Sequence, residues 1–186
     1  MDTARIYFQL GFEHIVPLGI DHILFVLCLF LLSKNLKTLI WQATAFTVAH
    51  SITLAIAALK LITVSSHIIE PIIALSIVFV AIENIAITQL KTSRIIIVFA
   101  FGLVHGLGFA SALTNLGLPQ NQFFTSLLSF NVGVELGQLT VIFIAWFLIG
   151  KWFSNKEWYR KRIIIPSSIV IAGIGMYWTI QRLFFI

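Results

Sequence analysis

The sequence EPIIALSIVFVAIENIAITQL, residues 70–90, decides the fold class of this chain. It is 21 residues long and almost entirely apolar, and a helix of about 20 such residues spans the hydrocarbon core of a bilayer. Glu83 and Asn84 interrupt the apolar run. Because a charged side chain at the centre of a spanning helix is costly, such residues usually face the interior of a bundle. The stretch therefore predicts a transmembrane helix that carries polar groups into the protein interior.

The composition of the whole chain extends this prediction to a polytopic membrane protein. Of its 186 residues, 59% are hydrophobic and 10% are charged, whereas soluble domains are about 25% charged. The chain has room for about six or seven spans joined by short turns. The spans leave no room for a large soluble catalytic domain. The net charge of +5 does not indicate a nucleic-acid-binding module, because the basic residues lie in loops between apolar runs. The single cysteine, Cys28, lies in an apolar run and allows no intrachain disulfide.

Apolar runs bounded by charges and turn residues predict an all-α bundle, with residues 1–186 forming one transmembrane domain. Residues 3–15 mix polar and apolar side chains and predict a short interfacial helix that leads into the first span, or that counts as a seventh span. No cleavable secretory signal is evident there. The predicted spans lie near 16–33, 37–60, 70–90, 94–114, 124–150 and 163–184.

The distribution of Lys and Arg predicts the orientation of the chain. Nine of these residues fall in the loops after the first, third and fifth spans. The three others, Arg5, Lys60 and Arg182, fall on the opposite side. Since Lys and Arg concentrate on the cytoplasmic side of membranes, both termini are expected on the outer side.

Five of the six predicted spans carry polar residues in apolar surroundings. A helical rise of 1.5 Å per residue places most of them between about 8 and 20 Å below the outer surface. The sixth span carries only Gln181 and Arg182 near its end, so it is expected to be scaffold. The polar residues are His14, Asp21 and His22 in the first span, His50 and Ser51 in the second, Glu83 and Asn84 in the third, His105 in the fourth, and Asn131, Glu135 and Gln138 in the fifth.

Four histidines and three carboxylates in a low-dielectric interior are typical of a divalent-metal site. Imidazole suits Zn, Fe, Co, Ni and Cu. Because no Lys or Arg lies in a predicted span core, the Asp21 and Glu135 carboxylates are expected to need a histidine or a metal ion as counter-charge. The predicted metal ligands are His14, Asp21, His22, His50, His105 and Glu135. The residues predicted to surround them, or to form a second site, are Ser51, Glu83, Asn84, Asn131 and Gln138.

Two other roles for these residues stay open at this point. One is interhelical hydrogen bonding, with each bond worth under about 1–2 kcal/mol. The other is a proton relay, since chains of histidines and carboxylates also carry protons through membranes.

Two further patterns bear on how the helices pack. Gly102-x-x-x-Gly106 and Gly133-x-x-x-Gly137 predict a close contact between the fourth and fifth spans, which would bring His105 and Glu135 together. The sequence AFTVAH at 45–50 also matches AFGLVH at 100–105. This faint repeat predicts that the two histidines lie at similar depth.

Four motifs in order resemble the HupE/UreJ family of small integral membrane proteins. They are GFEHI at 11–15 with GIDHILF at 19–25, FTVAHSITL at 46–54, FGLVHGLGFA at 101–110 and FNVGVELGQ at 130–138. The resemblance covers roughly residues 11–140. It implies nickel or cobalt handling in the bacterial inner membrane, as a permease or an accessory protein for hydrogenase or urease maturation. In that membrane the outward-facing termini expected from the basic residues would lie in the periplasm. The implied partners are the bilayer, the metal ion and metalloenzyme maturation proteins.

Two functions are therefore predicted from the sequence. The first is a permease or metal-supply protein for nickel, cobalt or zinc. The alternative is an intramembrane zinc hydrolase for a lipid amide or ester, since a metal with an open position activates water. Neither the metal nor any catalytic residue is named by the sequence, the oligomeric state stays open, and no nucleic-acid partner is expected.

Overall fold

The computed structural model describes residues 3–33, 35–88, 93–115 and 120–185, which are helical almost throughout. Two π-helical turns, Trp146–Gly150 and Arg160–Ile164, lie within longer helices. Gln120–Gln122 form a short 3-10 turn. The helices are α1 (Thr3–Ile15), α2 (Ile20–Leu32), α3 (Leu36–Ala58), α4 (Ser66–Ala86), α5 (Arg94–Asn115), α6 (Phe123–Phe153) and α7 (Arg160–Phe184).

The lengths of these helices agree with a transmembrane bundle. The helices α3, α4, α6 and α7 are each long and apolar enough to cross a bilayer. The helices α1 and α2 meet that criterion together, as one pair bent by 66°, and α5 is apolar but shorter over Arg94–Phe109. The predicted all-α membrane bundle is confirmed, and each helix lies within a few residues of its predicted range. The number of spans stays a prediction.

Three helix pairs make up most of the bundle. The helix α3 packs parallel to α5, α1 packs parallel to α6, and α4 packs antiparallel to α7. The short α2 contacts members of all three pairs, most extensively α4 and α6. Its Phe25, Cys28 and Leu29 side chains are fully buried. The helix α2 is therefore packed inside the bundle, and its first turn carries Asp21 and the buried His22.

Glycines of α5 allow the close contact with α3. A Cβ on Gly102 would lie 2.5 Å from the carbonyl oxygen of Phe46, and a Cβ on Gly106 would overlap the carbonyl oxygen of His50. The contacts advance in the same direction along both helices, so α3 and α5 are parallel. The repeated segments 45–50 and 100–105 consequently lie side by side.

The glycines of α6 face α1 instead of α5. A Cβ on Gly133 would overlap the Phe8 carbonyl oxygen, and a Cβ on Gly137 would lie 2.7 Å from Ile15 Cβ. The predicted close contact between the fourth and fifth spans through their glycines is therefore wrong. Small residues mark where a helix approaches a neighbour, but they do not select which neighbour it is.

The break between α1 and α2 brings two histidines together. A Cβ on Gly19 would overlap the carbonyl oxygen of His14, so only glycine permits this tight return of the chain. The first predicted span, 16–33, accordingly starts as a helix only at Ile20. The predicted helix over 3–15 is present and buries Tyr7 and Ile15. Its place at the membrane interface stays a prediction.

The two ends of the bundle differ in character. We call the end where α4 begins and α7 finishes the cavity end, because Glu70 and Arg182 line a cavity there. We call the other end, where α4 finishes and α5 and α7 begin, the opposite end. Arg94 and Arg160 lie at this opposite end.

Candidate metal centre

Three histidines from three helices converge in the interior of the bundle. His14 lies at the end of α1, His22 in the first turn of α2 and His50 in α3, and one ring nitrogen of each lies within 4.8 Å of the other two. The ring centroids are 4.7 Å apart for His14 and His22, 5.7 Å for His22 and His50, and 5.9 Å for His14 and His50. Metal–nitrogen bonds of about 2.0–2.1 Å hold tetrahedral ligands about 3.4 Å apart. Small side-chain rotations would therefore suffice to close this histidine cluster on one ion.

The nitrogens of the histidine cluster are available for coordination. Among the described residues, His14 Nε2, His22 Nε2 and both ring nitrogens of His50 are buried and make no hydrogen bond. His22 is 6% exposed and His50 is 0% exposed. Since an unsatisfied buried polar group costs about 1–3 kcal/mol, several of them in one place require an explanation. A metal ion that accepts these lone pairs fits the donor set.

A fourth histidine lies against the cluster with its tautomer set by a serine. The ring of His105 is 4.9 Å from that of His22. Ser76 Oγ donates its one proton to the Ile73 carbonyl oxygen at 2.6 Å, so the bond of 2.9 Å between Ser76 Oγ and His105 Nε2 requires Nε2–H to donate. His105 Nδ1, which is buried and makes no hydrogen bond among the described residues, therefore carries a free lone pair.

Aromatic rings enclose the histidine cluster. The Phe109 ring centroid is 3.9 Å from that of His14 and stacks on Phe130 at 5.2 Å. Phe46 packs edge-on against His22 at 5.7 Å. These rings restrict the imidazole rotamers and exclude water, which strengthens electrostatic interactions at the site.

A cavity of about 720 Å³ reaches the histidine cluster from the cavity end. We call it the acidic cavity, since three carboxylates and one guanidinium lie on its wall. A cavity with this charge balance concentrates cations. Its titratable lining residues are Glu13, His14, Asp21, His22, Glu70, His105 and Arg182.

The carboxylate of Asp21 is paired with an arginine. Arg182 Nη2 lies 3.1 Å from Asp21 Oδ1 and 3.0 Å from Oδ2, and Arg182 Nη1 donates to the Glu70 carbonyl oxygen at 3.2 Å. The expectation that no arginine neutralises Asp21 is therefore wrong. So is the expectation that the last helix is only scaffold, because α7 delivers this side chain to the acidic cavity.

Glu135 lies in the contact between α6 and α3. Thr44 Oγ1 donates to Glu135 Oε1 at 2.7 Å, while Glu135 Oε2 is buried and makes no hydrogen bond among the described residues. The close group of three ligand nitrogens does not include this carboxylate, nor Asp21 or His105. Of the six predicted ligands, the structure therefore brings three together, sets His105 beside them and turns the two carboxylates to other partners.

The polar residues predicted around the site divide into two groups. The first group lies on the facing surfaces of α3 and α6: Ser51 Oγ donates to the Thr47 carbonyl oxygen at 2.6 Å, and Thr47 Oγ1 donates to Gln138 Oε1 at 3.3 Å. Asn131 Nδ2 donates to the Leu127 carbonyl oxygen at 2.8 Å. The bond between Thr47 and Gln138 joins α3 and α6, which carry His50 and Glu135.

The second group, Glu83 and Asn84, lies at the opposite end. Glu83 Oε2 is 3.2 Å from Arg94 Nε, and Asn84 Nδ2 donates to the Cys28 carbonyl oxygen at 2.8 Å. Because Ser76 contacts His105 and Glu83 follows it by seven residues of α4, the Glu83 backbone lies about 10 Å further along the helix. The structure therefore does not bring these two residues to the histidine cluster.

Sequence reasoning missed Arg182, Ser76 and Phe109. Arg182 could have been found from the sequence. It lies near the outer end of the last predicted span, and Asp21, a carboxylate without a predicted counter-charge, lies near the outer end of the first. Ser76 and Phe109 had none, because a serine or a phenylalanine in an apolar helix is ordinary.

These features define the chain as an integral membrane protein with a buried histidine cluster beneath an acidic cavity. The protein belongs to the HupE/UreJ family, because the family model described as HupE / UreJ protein matches residues 1–182. The match extends well beyond residues 11–140 and includes most of α7. No curated protein and no solved structure matches the chain.

Proposed function

We propose that the protein binds a divalent transition-metal ion, nickel or cobalt, at the histidine cluster and carries it across the membrane. The observation that supports this most is the convergence of unpaired, buried ring nitrogens of His14, His22 and His50 below an acidic cavity. Membership of the HupE/UreJ family suggests the same metals and a permease-like or accessory role. The ion is the cargo, so it has to arrive and leave.

The charge and chemistry of the site suit this sequence of events. The carboxylates of the acidic cavity attract a hydrated dication. Neutral imidazoles then replace part of its water shell, and nitrogen ligands select nickel, cobalt, copper and zinc over magnesium and calcium. The His105 ring lies 4.9 Å from that of His22, and its Nδ1 lone pair makes it a candidate fourth ligand after a side-chain rotation.

We further propose that the acidic cavity opens on the outer side of the membrane. The support is the distribution of basic residues, since nine of the twelve Lys and Arg residues of the chain lie in or beside the connections between the predicted first and second, third and fourth, and fifth and sixth spans. By the positive-inside rule the opposite end faces the cytoplasm. Metal would then enter from outside and leave toward the cytoplasm.

The binding step is tested by titrating the detergent-purified protein with Co²⁺ and recording its absorption spectrum. The wild type should bind Co²⁺ and give an absorption spectrum typical of cobalt with several nitrogen ligands. His22→Gln and His50→Gln should each weaken binding more than the roughly 10–100-fold typical of residues that only orient a ligand. The matched control is His67→Gln, because His67 is exposed on the first turn of α4. Binding that survives both cluster variants would contradict the proposal.

The transport step is tested with radiolabelled nickel and proteoliposomes. The wild type and His67→Gln should accumulate nickel inside the vesicles, and His50→Gln should not. Tight binding without uptake would leave the metal-supply role of an accessory protein and exclude the permease.

The alternative predicted from the sequence, a zinc hydrolase, leads to a different result. Zinc-loaded protein would then hydrolyse a lipid amide or ester at a rate that His22→Gln abolishes. Turnover of this kind, together with absent nickel uptake, would replace the transport proposal.

A further inference from the structure

We propose that Arg182 is a tethered counter-ion of the metal site. Its guanidinium is hydrogen-bonded to the Asp21 carboxylate, and a dication that enters the acidic cavity competes with Arg182 for that carboxylate. This inference rests on the proposed metal-binding function and adds to it a residue that sets the affinity of the site.

The position of the ion pair supports this exchange. Both oxygens of Asp21 lie within 3.1 Å of Arg182 Nη2. The two side chains are 26% and 16% exposed, and both lie on the wall of the acidic cavity. A dication in this cavity therefore reaches the carboxylate without unpacking the bundle.

The pair also lies next to the proposed ligands. Asp21 immediately precedes His22 in the first turn of α2, and both line the acidic cavity together with His105. A guanidinium in the same wall has the charge sign of the metal, so it opposes metal binding. Arg182 also forms hydrogen bonds with both oxygens of Asp21, the residue next to His22 in the sequence.

Arg182 keeps other partners when Asp21 leaves it. Its Nη1 donates to the Glu70 carbonyl oxygen at 3.2 Å, and its guanidinium carbon lies 5.4 Å from the centre of the Trp178 ring. The carboxylates of Glu13 and Glu70 line the same cavity. The displaced guanidinium is therefore still anchored and still charge-balanced.

The exchange reduces the charge left in the interior. The histidine cluster contributes no negative charge as neutral imidazoles, so a dication bound there alone leaves two positive charges in a low-dielectric region. When Asp21 turns to the ion, one of these charges is neutralised, and the guanidinium charge that Asp21 leaves lies on the wall of the open cavity. Because metal must first compete with Arg182, the affinity is held at a level from which release is feasible.

The test is a double-mutant cycle on the equilibrium dissociation constant for Co²⁺, measured on detergent-purified protein. The variants are Arg182→Gln, Asp21→Asn and the two combined. Arg182→Gln should tighten binding about tenfold to a hundredfold, which is the range of a hydrogen-bonded ion pair. In the Asp21→Asn background the same change should tighten binding about threefold or less, since only the through-space repulsion remains.

The matched control is Arg5→Gln, which removes one positive charge from an exposed position of α1. It should leave the dissociation constant within about twofold of the wild type. If Arg182→Gln does not fold, Arg182→Lys replaces it, because a point charge cannot engage Asp21 and Glu70 together as the planar guanidinium does. The lysine variant should show a smaller tightening in the same direction.

Each outcome has one meaning. Unchanged or weaker Co²⁺ binding by Arg182→Gln, or by the lysine variant, overturns the counter-ion role. Equal tightening with and without Asp21 overturns the exchange, because Arg182 would then act only as a distant charge. No Co²⁺ binding by the wild type itself contradicts the proposed function instead.

Discussion

The two ends of the bundle each hold an arginine–carboxylate pair, in opposite surroundings. At the cavity end, Asp21 and Arg182 are partly exposed on the wall of the acidic cavity, beside histidines with free nitrogens. At the opposite end, Arg94 is 1% exposed and Glu83 is 15% exposed. There Arg94 Nη2 also donates to Asn84 Oδ1 at 3.2 Å, and Asn84 donates to the Cys28 carbonyl oxygen. The ion pair therefore belongs to a buried hydrogen-bond network that joins α2, α4 and α5.

The comparison separates a replaceable ion pair from a structural one. A cation can reach Asp21 through the cavity, whereas Glu83 is held by an arginine among packed helices. Near Glu83, Arg160 Nη2 donates to the Ile85 carbonyl oxygen at 2.8 Å and Nη1 to that of Asn84 at 3.3 Å, so Arg160 satisfies two of the last carbonyls of α4. We therefore expect the cavity end to govern ligand binding and the opposite end to govern stability.

The largest expected effect is a difference in how much each arginine–carboxylate pair contributes to the free energy of unfolding. Arg94→Met should lower the free energy of unfolding by about 3–5 kcal/mol, because it leaves the Glu83 carboxylate buried without its counter-charge. Arg182→Gln should lower it by less, about 1–2 kcal/mol, because the Asp21 carboxylate lies on the cavity wall and is not left buried without solvent. Denaturant unfolding in detergent, followed by tryptophan fluorescence, measures both. Equal losses would remove the distinction between the two ends.

The second prediction concerns the helix contact that positions His50. Gly106→Ala should destabilise the protein by about 1–3 kcal/mol and weaken Co²⁺ binding, because the new methyl group would overlap the His50 carbonyl oxygen. Gly173→Ala in α7 is the matched control, since nothing lies within 4 Å of its added Cβ. The control should be neutral, or stabilising by up to about 1 kcal/mol. A tolerated alanine at 106 would show that α3 and α5 do not need this close approach.

The third and smallest effect concerns the tautomer of His105. Ser76→Ala removes the acceptor that keeps the proton on Nε2, so Co²⁺ binding should weaken about tenfold. Ser168→Ala is the control, because Ser168 is also fully buried but its Oγ makes no hydrogen bond among the described residues. Equal affinity of the two serine variants would mean that the hydrogen bond from His105 to Ser76 does not contribute to metal binding.

The sequence predicted the helices and the polar residues of the site because the bilayer makes both conspicuous. A run of about twenty apolar residues indicates a transmembrane helix. A histidine such as His22 or His50 in such a run costs free energy of insertion unless it has a partner in the protein interior. The same reasoning placed His14 with them.

The partners of the charged residues were harder to predict. Arg182 lies near the end of α7 and outside the predicted span cores, but its long side chain reaches inward to Asp21. Which helix each glycine faces, and which proton His105 carries, depend on three-dimensional packing. The spacing of residues along one helix does not indicate which neighbouring helix a glycine faces or which ring nitrogen of His105 carries the proton.

The central claim is that histidines from three separate helices bind one metal ion. X-ray absorption spectroscopy of the cobalt-loaded or nickel-loaded protein tests it most directly, together with the metal content per chain. We predict one ion per chain in a nitrogen and oxygen shell, with the multiple scattering of at least three imidazoles, reduced by His22→Gln and unchanged by His67→Gln. A shell without imidazole scattering, or one that His22→Gln leaves intact, would contradict the account.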